Sequence, residues 1–303
     1  MSTSSRSLLR SLLLGLVVLV ATIWGGRYFA QKTAVEGKPG ISPSAETGQT
    51  LVSLSPGVTE TIVALGAGSR LVGISDYCEP PDARPTDRVG TAITPHYEAI
   101  ARLSPALILT SEVRGEQLSP LSRLAPTHSF PWLTLEEWAA SVLELGKLLD
   151  TNEPARQLHD EILATLRVTP PHDAPRILLV LDYGDSGGNQ IWFIRKDSIH
   201  GAALEAAGAK NAVTGDVLGT PHLSPEELLK VDPDGILFLR QTKGAQDETD
   251  ARSRFARFTP LRAVQENRIG TVTMEGSMTV GPSVLKLVPL LREKIQEIIE
   301  TSR

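Results

Sequence analysis

Gly184-Asp185-Ser186-Gly187-Gly188 fits Gly-x-Ser-x-Gly, the frame in which a serine becomes an activated nucleophile. Such an elbow follows a strand and then enters a helix, whose first backbone amides help to hold an oxyanion. Here Ile191-Trp192-Phe193-Ile194 follows, a run with the pattern of a strand. The trypsin-like reading of the same residues needs an upstream histidine in a small-residue context and an all-β pattern, and neither is present. A hairpin turn, with glycine supplying the special backbone angles, explains the segment better. A serine hydrolase using Ser186 remains the rival class. His96, His200 and His222, together with Tyr77 and Glu275, offer metal-ligand atom types, but no local spacing such as His-x-x-x-His joins them. The chain has no Gly-x-x-x-x-Gly-Lys-Ser/Thr and therefore no ATP site of that kind.

Two glutamates recur in matched surroundings. Glu98 to Pro105 followed by Ala-Leu-Ile-Leu parallels Glu226 to Pro233 followed by Asp-Gly-Ile-Leu. In each copy a glutamate sits in the first turn of a helix, where its charge suits the helix dipole. A proline then stops the helix and an apolar strand begins. Helix–proline–strand is a common joint in α/β proteins, but the equal spacing in the two copies marks a weak internal repeat.

The elements that carry these residues alternate. Leu51–Leu54, Leu71–Ile74, Ala106–Thr110 and His128–Leu133 read as strands, with helices over 57–65, 97–103 and 115–124 between them. Ser55 and Pro56 supply an N-cap and a first-turn proline, and Gly66 a stop. Two helical stretches follow, 135–149 and 154–166. Alternation then resumes with strands over 177–181, 191–194, 235–239 and 269–273 and helices over 198–207, 225–229 and 283–299. This pattern predicts two Rossmann-like α/β lobes, each with a mostly parallel sheet, joined by helix.

The termini and composition bound the rest. The 303 residues carry a net charge of −5, 41% hydrophobic residues and a single cysteine, Cys78. Arg6 and Arg10 precede an apolar run from Leu12 to Trp24, so residues 1–30 read as a signal peptide or a membrane anchor. With Cys78 as the sole cysteine, the usual lipid-anchoring route after such a segment is closed. Residues 31–49 read as a flexible linker. No basic stripe follows residue 49, which argues against a nucleic-acid partner.

Five stretches in order give the chain a resemblance to the iron-complex/vitamin B12 periplasmic-binding family of ABC transporter substrate-binding proteins. They are Leu-Val-Ser-Leu-Ser-Pro-Gly-Val-Thr-Glu-Thr (51–61), Val-Gly-Ile-Ser-Asp-Tyr-Cys-Glu-Pro-Pro (72–81), Tyr97 to Leu109, Ile199 to Ala212 with Gly208-Ala-Lys-Asn211, and Leu223 to Leu239. The resemblance implies an N-terminal lobe over 50–152, a single long bridging helix within 153–170, a C-terminal lobe over 171–303 and a ligand cleft between the lobes. It implies a binding protein rather than an enzyme, with an iron complex (siderophore or haem) or a corrinoid as ligand and a permease as partner. No resident cofactor or structural metal is implied. The protein would act in the periplasm, free or tethered to the cytoplasmic membrane by residues 8–29; a membrane-tethered ligand sensor is a further alternative. Tyr77 resembles the aromatic that lines the first lobe's side of the cleft and Trp192 its counterpart on the second, with Asp76, Tyr97 and Glu275 as further ligand-binding candidates. Glu98 and Glu226 resemble the glutamates, one per lobe, that dock on the permease. One departure concerns cargo. The vitamin B12 receptor pattern places arginines near its end, where this chain has Thr279 and Gly281-Pro282-Ser283. That weakens the case for an anionic or phosphate-bearing ligand.

Overall fold

The computed structural model describes residues 49–80, 86–111, 118–182, 190–215, 221–241 and 247–300. Strands β1 (Leu51–Ser53), β2 (Leu71–Ile74), β3 (Asp87–Arg88), β4 (Leu107–Ser111) and β5 (Thr127–Phe130) form an all-parallel sheet in the order β3-β2-β1-β4-β5. Leu51 in β1 lies between Leu71 and Leu107 in register, and every residue of β1 is buried. Leu51 and Val52 suit a strand covered on both faces, and the buried Ser53 hydroxyl donates to the Ser55 carbonyl and accepts from the Thr59 hydroxyl. Helices α1 (Pro56–Ala64), α2 (Tyr97–Leu103) and α3 (Leu118–Ser122) supply connections within this half.

Helix α1 begins at Ser55, as the Ser-Pro pair predicts, but the serine hydroxyl does not cap the helix. It accepts instead from the Ser111 amide at 2.9 Å and lies 3.2 Å from the Thr110 hydroxyl, tying the helix entry to the end of β4.

The second sheet contains β6 (Arg176–Asp182), β7 (Ile191–Phe193), β8 (Lys210–Asn211), β9 (His222–Leu223), β10 (Gly235–Arg240) and β11 (Ile269–Thr273), in the order β11-β10-β6-β7-β9 with β8 pairing on β6. Leu178, Ile236 and Ile269 align across its parallel part. β6 and β7 run antiparallel, so the chain after Gly188 enters a strand and not the helix that a nucleophile elbow demands. Ser186 itself lies outside the described residues.

Two helices of 15 residues each connect the sheets, α4 (Leu135–Leu149) and α5 (Asn152–Leu166). The two form a helical hairpin, and α5 is the helix that occupies the stretch 153–170 expected to bridge the lobes. Thr134 and Glu137 close a reciprocal capping box at the start of α4. The two helices approach so closely that a Cβ on Gly146 would stand 2.2 Å from the Ala155 Cβ. Ala155, Leu158, Ile162 and Leu166 form the buried stripe of α5 at helical spacing. Helix α5 also touches two helices of the second half, α6 (Ile199–Ala206) and, at the chain's end, α10 (Ser283–Glu300). Between these come α7 (Pro225–Val231), α8 (Asp247–Phe255) and α9 (Arg262–Gln265).

One apolar cluster runs from Leu51 and Leu109 through Trp138 and Leu158 to Ile177 and Leu291. It therefore crosses from one lobe to the other through the hairpin. Rotating the lobes apart would expose part of it, which favours small relative movement.

Candidate functional site

The internal repeat survives in three dimensions. Helices α2 and α7 each have seven residues and carry Glu98 and Glu226 in the first turn. Each ends on a left-handed residue, Ser104 (φ 44°) or Asp232 (φ 39°), followed by the proline and a strand of its own sheet, β4 or β10. Both glutamates are exposed.

An open cleft of ≈ 780 Å³ lies between residues of the two lobes. Its first wall is one face of α1 (Pro56, Thr59, Glu60, Val63, Ala64) with Tyr77, Glu79 and Pro80. Its second wall is Gln241, the segment Met274 to Thr279, and the start of α10 at Pro282, Ser283 and Lys286.

Tyr77 stands on a turn that is held from behind. The Arg88 guanidinium donates to the Ser75 carbonyl at 2.8 Å and also reaches those of Asp76 and Cys78, while the Asp76 carboxylate accepts from the Gly90 amide at 3.2 Å. The ring is left 79% exposed, free to lie against a ligand. Cys78, next in the chain, points inward and lies 3.1 Å from the Thr59 hydroxyl. Burial pushes its thiol up, so it is a packing residue and not a reactive thiolate.

On the second wall, the segment after β11 is fastened from below. His200, almost fully buried in α6, donates from Nε2 to the Ser277 carbonyl at 2.8 Å. Burial holds this imidazole below its usual pKa, which favours the neutral form. The Ser277 hydroxyl donates to the Arg240 carbonyl at 2.8 Å.

The walls meet at the floor. The Glu60 carboxylate of α1 accepts from the Ser283 amide at the start of α10, 3.1 Å away. Burial raises its pKa, opposed by Ser283 and by the nearby Lys286. Beside it Gly57 faces Val280 so tightly that a Cβ would stand 1.7 Å from the Val280 oxygen.

Of the ligand candidates, the structure brings Tyr77 and Glu275 to this cleft. Asp76 borders it in sequence, but its carboxylate is engaged with Gly90. Tyr97 opens α2 beside Glu98, away from the lining. Trp192 lies on β7 with its ring 5.7 Å from that of His222 across to β9, also away from the lining. His96, His200 and His222 do not converge. Among the described residues no three His, Cys, Asp or Glu side chains are grouped to hold a bare metal ion. Among them, too, no helix is long and apolar enough to cross a membrane; residues 1–30 lie outside this description.

The sequence reading missed Glu60, Glu79, Ser283 and Lys286. Glu60 sits in the quoted stretch Ser-Pro-Gly-Val-Thr-Glu, and Ser283 in the Gly-Pro-Ser segment singled out for its lack of arginine. A glycine and a capping-type residue at the start of a terminal helix were the available signals.

Comparison with known proteins places this architecture. The model of the family described as "Periplasmic binding protein" matches residues 51–274. A vitamin B12-binding protein from Pectobacterium atrosepticum is 25% identical over 199 residues, covering 62% of this chain and 71% of that protein. An ABC transporter substrate-binding protein from Listeria monocytogenes superimposes with a TM-score of 0.66 at 19% identity, over 82% of this chain and 98% of that one. The siderophore-binding protein FhuD from Vibrio cholerae, in its complex with Fe3+-Desferal, gives a TM-score of 0.64 at 19% identity, over 84% and 99% of the two chains.

Proposed function

The chain belongs to the periplasmic binding protein family, and on that premise we propose that it is the extracytoplasmic substrate-binding protein of an ABC importer. Its cargo is an iron complex (siderophore or haem) or a corrinoid, held in the interlobe cleft and handed to a permease without chemical change. The observation that supports this most strongly is the ≈ 780 Å³ cleft walled by both lobes, within the size range of small-molecule sites, with Tyr77 raised into it on a braced turn. Glu98 and Glu226 are the docking residues. They are exposed carboxylates on equivalent helices of the two lobes, suited to paired, charge-assisted contacts with two cationic partners. Residues 8–29 either direct export or keep the protein on the membrane.

Native mass spectrometry of the purified chain with cyanocobalamin, haem and several ferric siderophores tests the reading. A saturable one-to-one complex with one of them is the expected result. A well-folded protein that binds none of them overturns it.

A further inference from the structure

The charges lining the cleft are unbalanced. Among the described residues they are Glu60, Glu79 and Glu275 against Lys286, with no arginine and no histidine. Lys286 interacts electrostatically with Glu60, so the one cation already has a partner inside the lining. Arg88, behind the first wall, is turned onto the carbonyls of Ser75, Asp76 and Cys78. That leaves Glu79 on one wall and Glu275 on the other. Both are exposed, and neither forms an ion pair among the described residues.

A cleft with protein on both sides focuses such charges, because field lines avoid the low-dielectric walls. A ligand seated between the two carboxylates meets a negative potential from both directions. Each negative charge on the ligand then opposes entry, and each positive charge favours it. Tyr77, on the same wall as Glu79, adds an aromatic face that attracts cations.

We infer that this cleft selects a metal complex of neutral or positive net charge and rejects polyanionic complexes of the same metal, with Glu79 and Glu275 as the specificity-determining residues. The inference rests on the receptor function proposed above and narrows its cargo. An iron cargo would be of the neutral or cationic hydroxamate kind, not a triply charged catecholate. A corrinoid cargo would be one without net negative charge.

The test titrates the purified full chain in detergent, at low ionic strength, with two pairs of ligands. The iron pair is ferrioxamine B, a cationic trihydroxamate, and a trianionic ferric triscatecholate. The corrinoid pair is cationic aquacyanocobinamide and anionic dicyanocobalamin. Within whichever pair binds, the cationic member is expected to bind ~10-fold or more tightly than the anionic one. The preference should shrink as salt rises. It should also shrink in the Glu79→Gln/Glu275→Gln variant, whose exposed, unpaired positions leave folding undisturbed. Equal binding within a pair, preference for the anion, or an unchanged ratio in the double variant overturns charge selection and leaves the receptor reading standing. Binding of haem but of no member of either pair overturns charge selection and leaves the receptor reading standing, and binding of none of these, haem included, overturns both.

Discussion

Replacing Gly57 by alanine should unseat the contact between the lobes. The added Cβ would stand 1.7 Å from the Val280 oxygen, 2.7 Å from its carbonyl carbon and 2.8 Å from Cζ3 of Trp132, where ordinary contact begins at 3.4 Å. Trp132 is buried and Val280 offers backbone, so neither yields as the tip of a flexible side chain would. The second wall must withdraw, carrying Gly281 and Ser283 with it and breaking the 3.1 Å bond between Ser283 and Glu60. Overpacking of this kind costs ~1–3 kcal/mol. A hydrogen bond to a charged group contributes ~1.5–3 kcal/mol, discounted here because Glu60 is only partly buried. A total loss of ~2–4 kcal/mol follows. Urea unfolding followed by circular dichroism reads it. Gly215→Ala, with nothing within 4 Å of its Cβ, is the control and should stay within ~0.5 kcal/mol of the parent. Glu60→Gln should matter less in the Gly57→Ala background than alone, because the bond it perturbs is already broken. A Gly57→Ala protein as stable as the parent, with the Glu60→Gln effect intact, would refute the seam.

Three further outcomes are expected. Tyr77→Ala should weaken ligand binding by ~10- to 100-fold and leave thermal stability unchanged, since the ring is exposed; titration and a melting curve check both. Reversing Glu98 and Glu226 together to lysine should abolish uptake in cells while the purified protein keeps its affinity, and unchanged uptake would remove them from docking. His200 is held below its usual 6.5, so below that pH the unfolded chain takes up the proton more readily than the native one. Stability should therefore fall as pH drops below 6.5, and His200→Gln, which keeps a donor for Ser277, should flatten that slope in unfolding measured across acidic pH.

The alternation of elements was legible because interior strands of parallel sheets are apolar runs. Leu51–Leu54, Ile177–Leu181 and Gly235–Leu239 announce themselves, and Pro56, Pro105 and Pro233 punctuate them. The two-residue strands Asp87–Arg88, Lys210–Asn211 and His222–Leu223 were not legible, since backbone pairing alone defines them. Helix α8 was also missed; its stretch is mostly polar and buries Ala251 and Phe255. The last strand of the first sheet ends at Phe130, short of the expected Leu133, because the chain turns there toward the capping box at Thr134. At the site, the resemblance names Tyr77 and Glu275, which line the cleft, and Trp192, which β7 carries beside His222 of β9. Glu60 lies 223 residues from Ser283 in the chain, and no local pattern records a contact of that span.

The central claim is that one metal complex sits between the two lobes. Crystals of the chain grown with the cargo found by mass spectrometry, measured at the absorption edge of its iron or cobalt, locate the metal by anomalous scattering without a prior model of the ligand. A single peak in the cleft between Tyr77 and Glu275 is the expected result. A peak elsewhere on the protein, or metal bound directly by protein side chains with no complex around it, would contradict it.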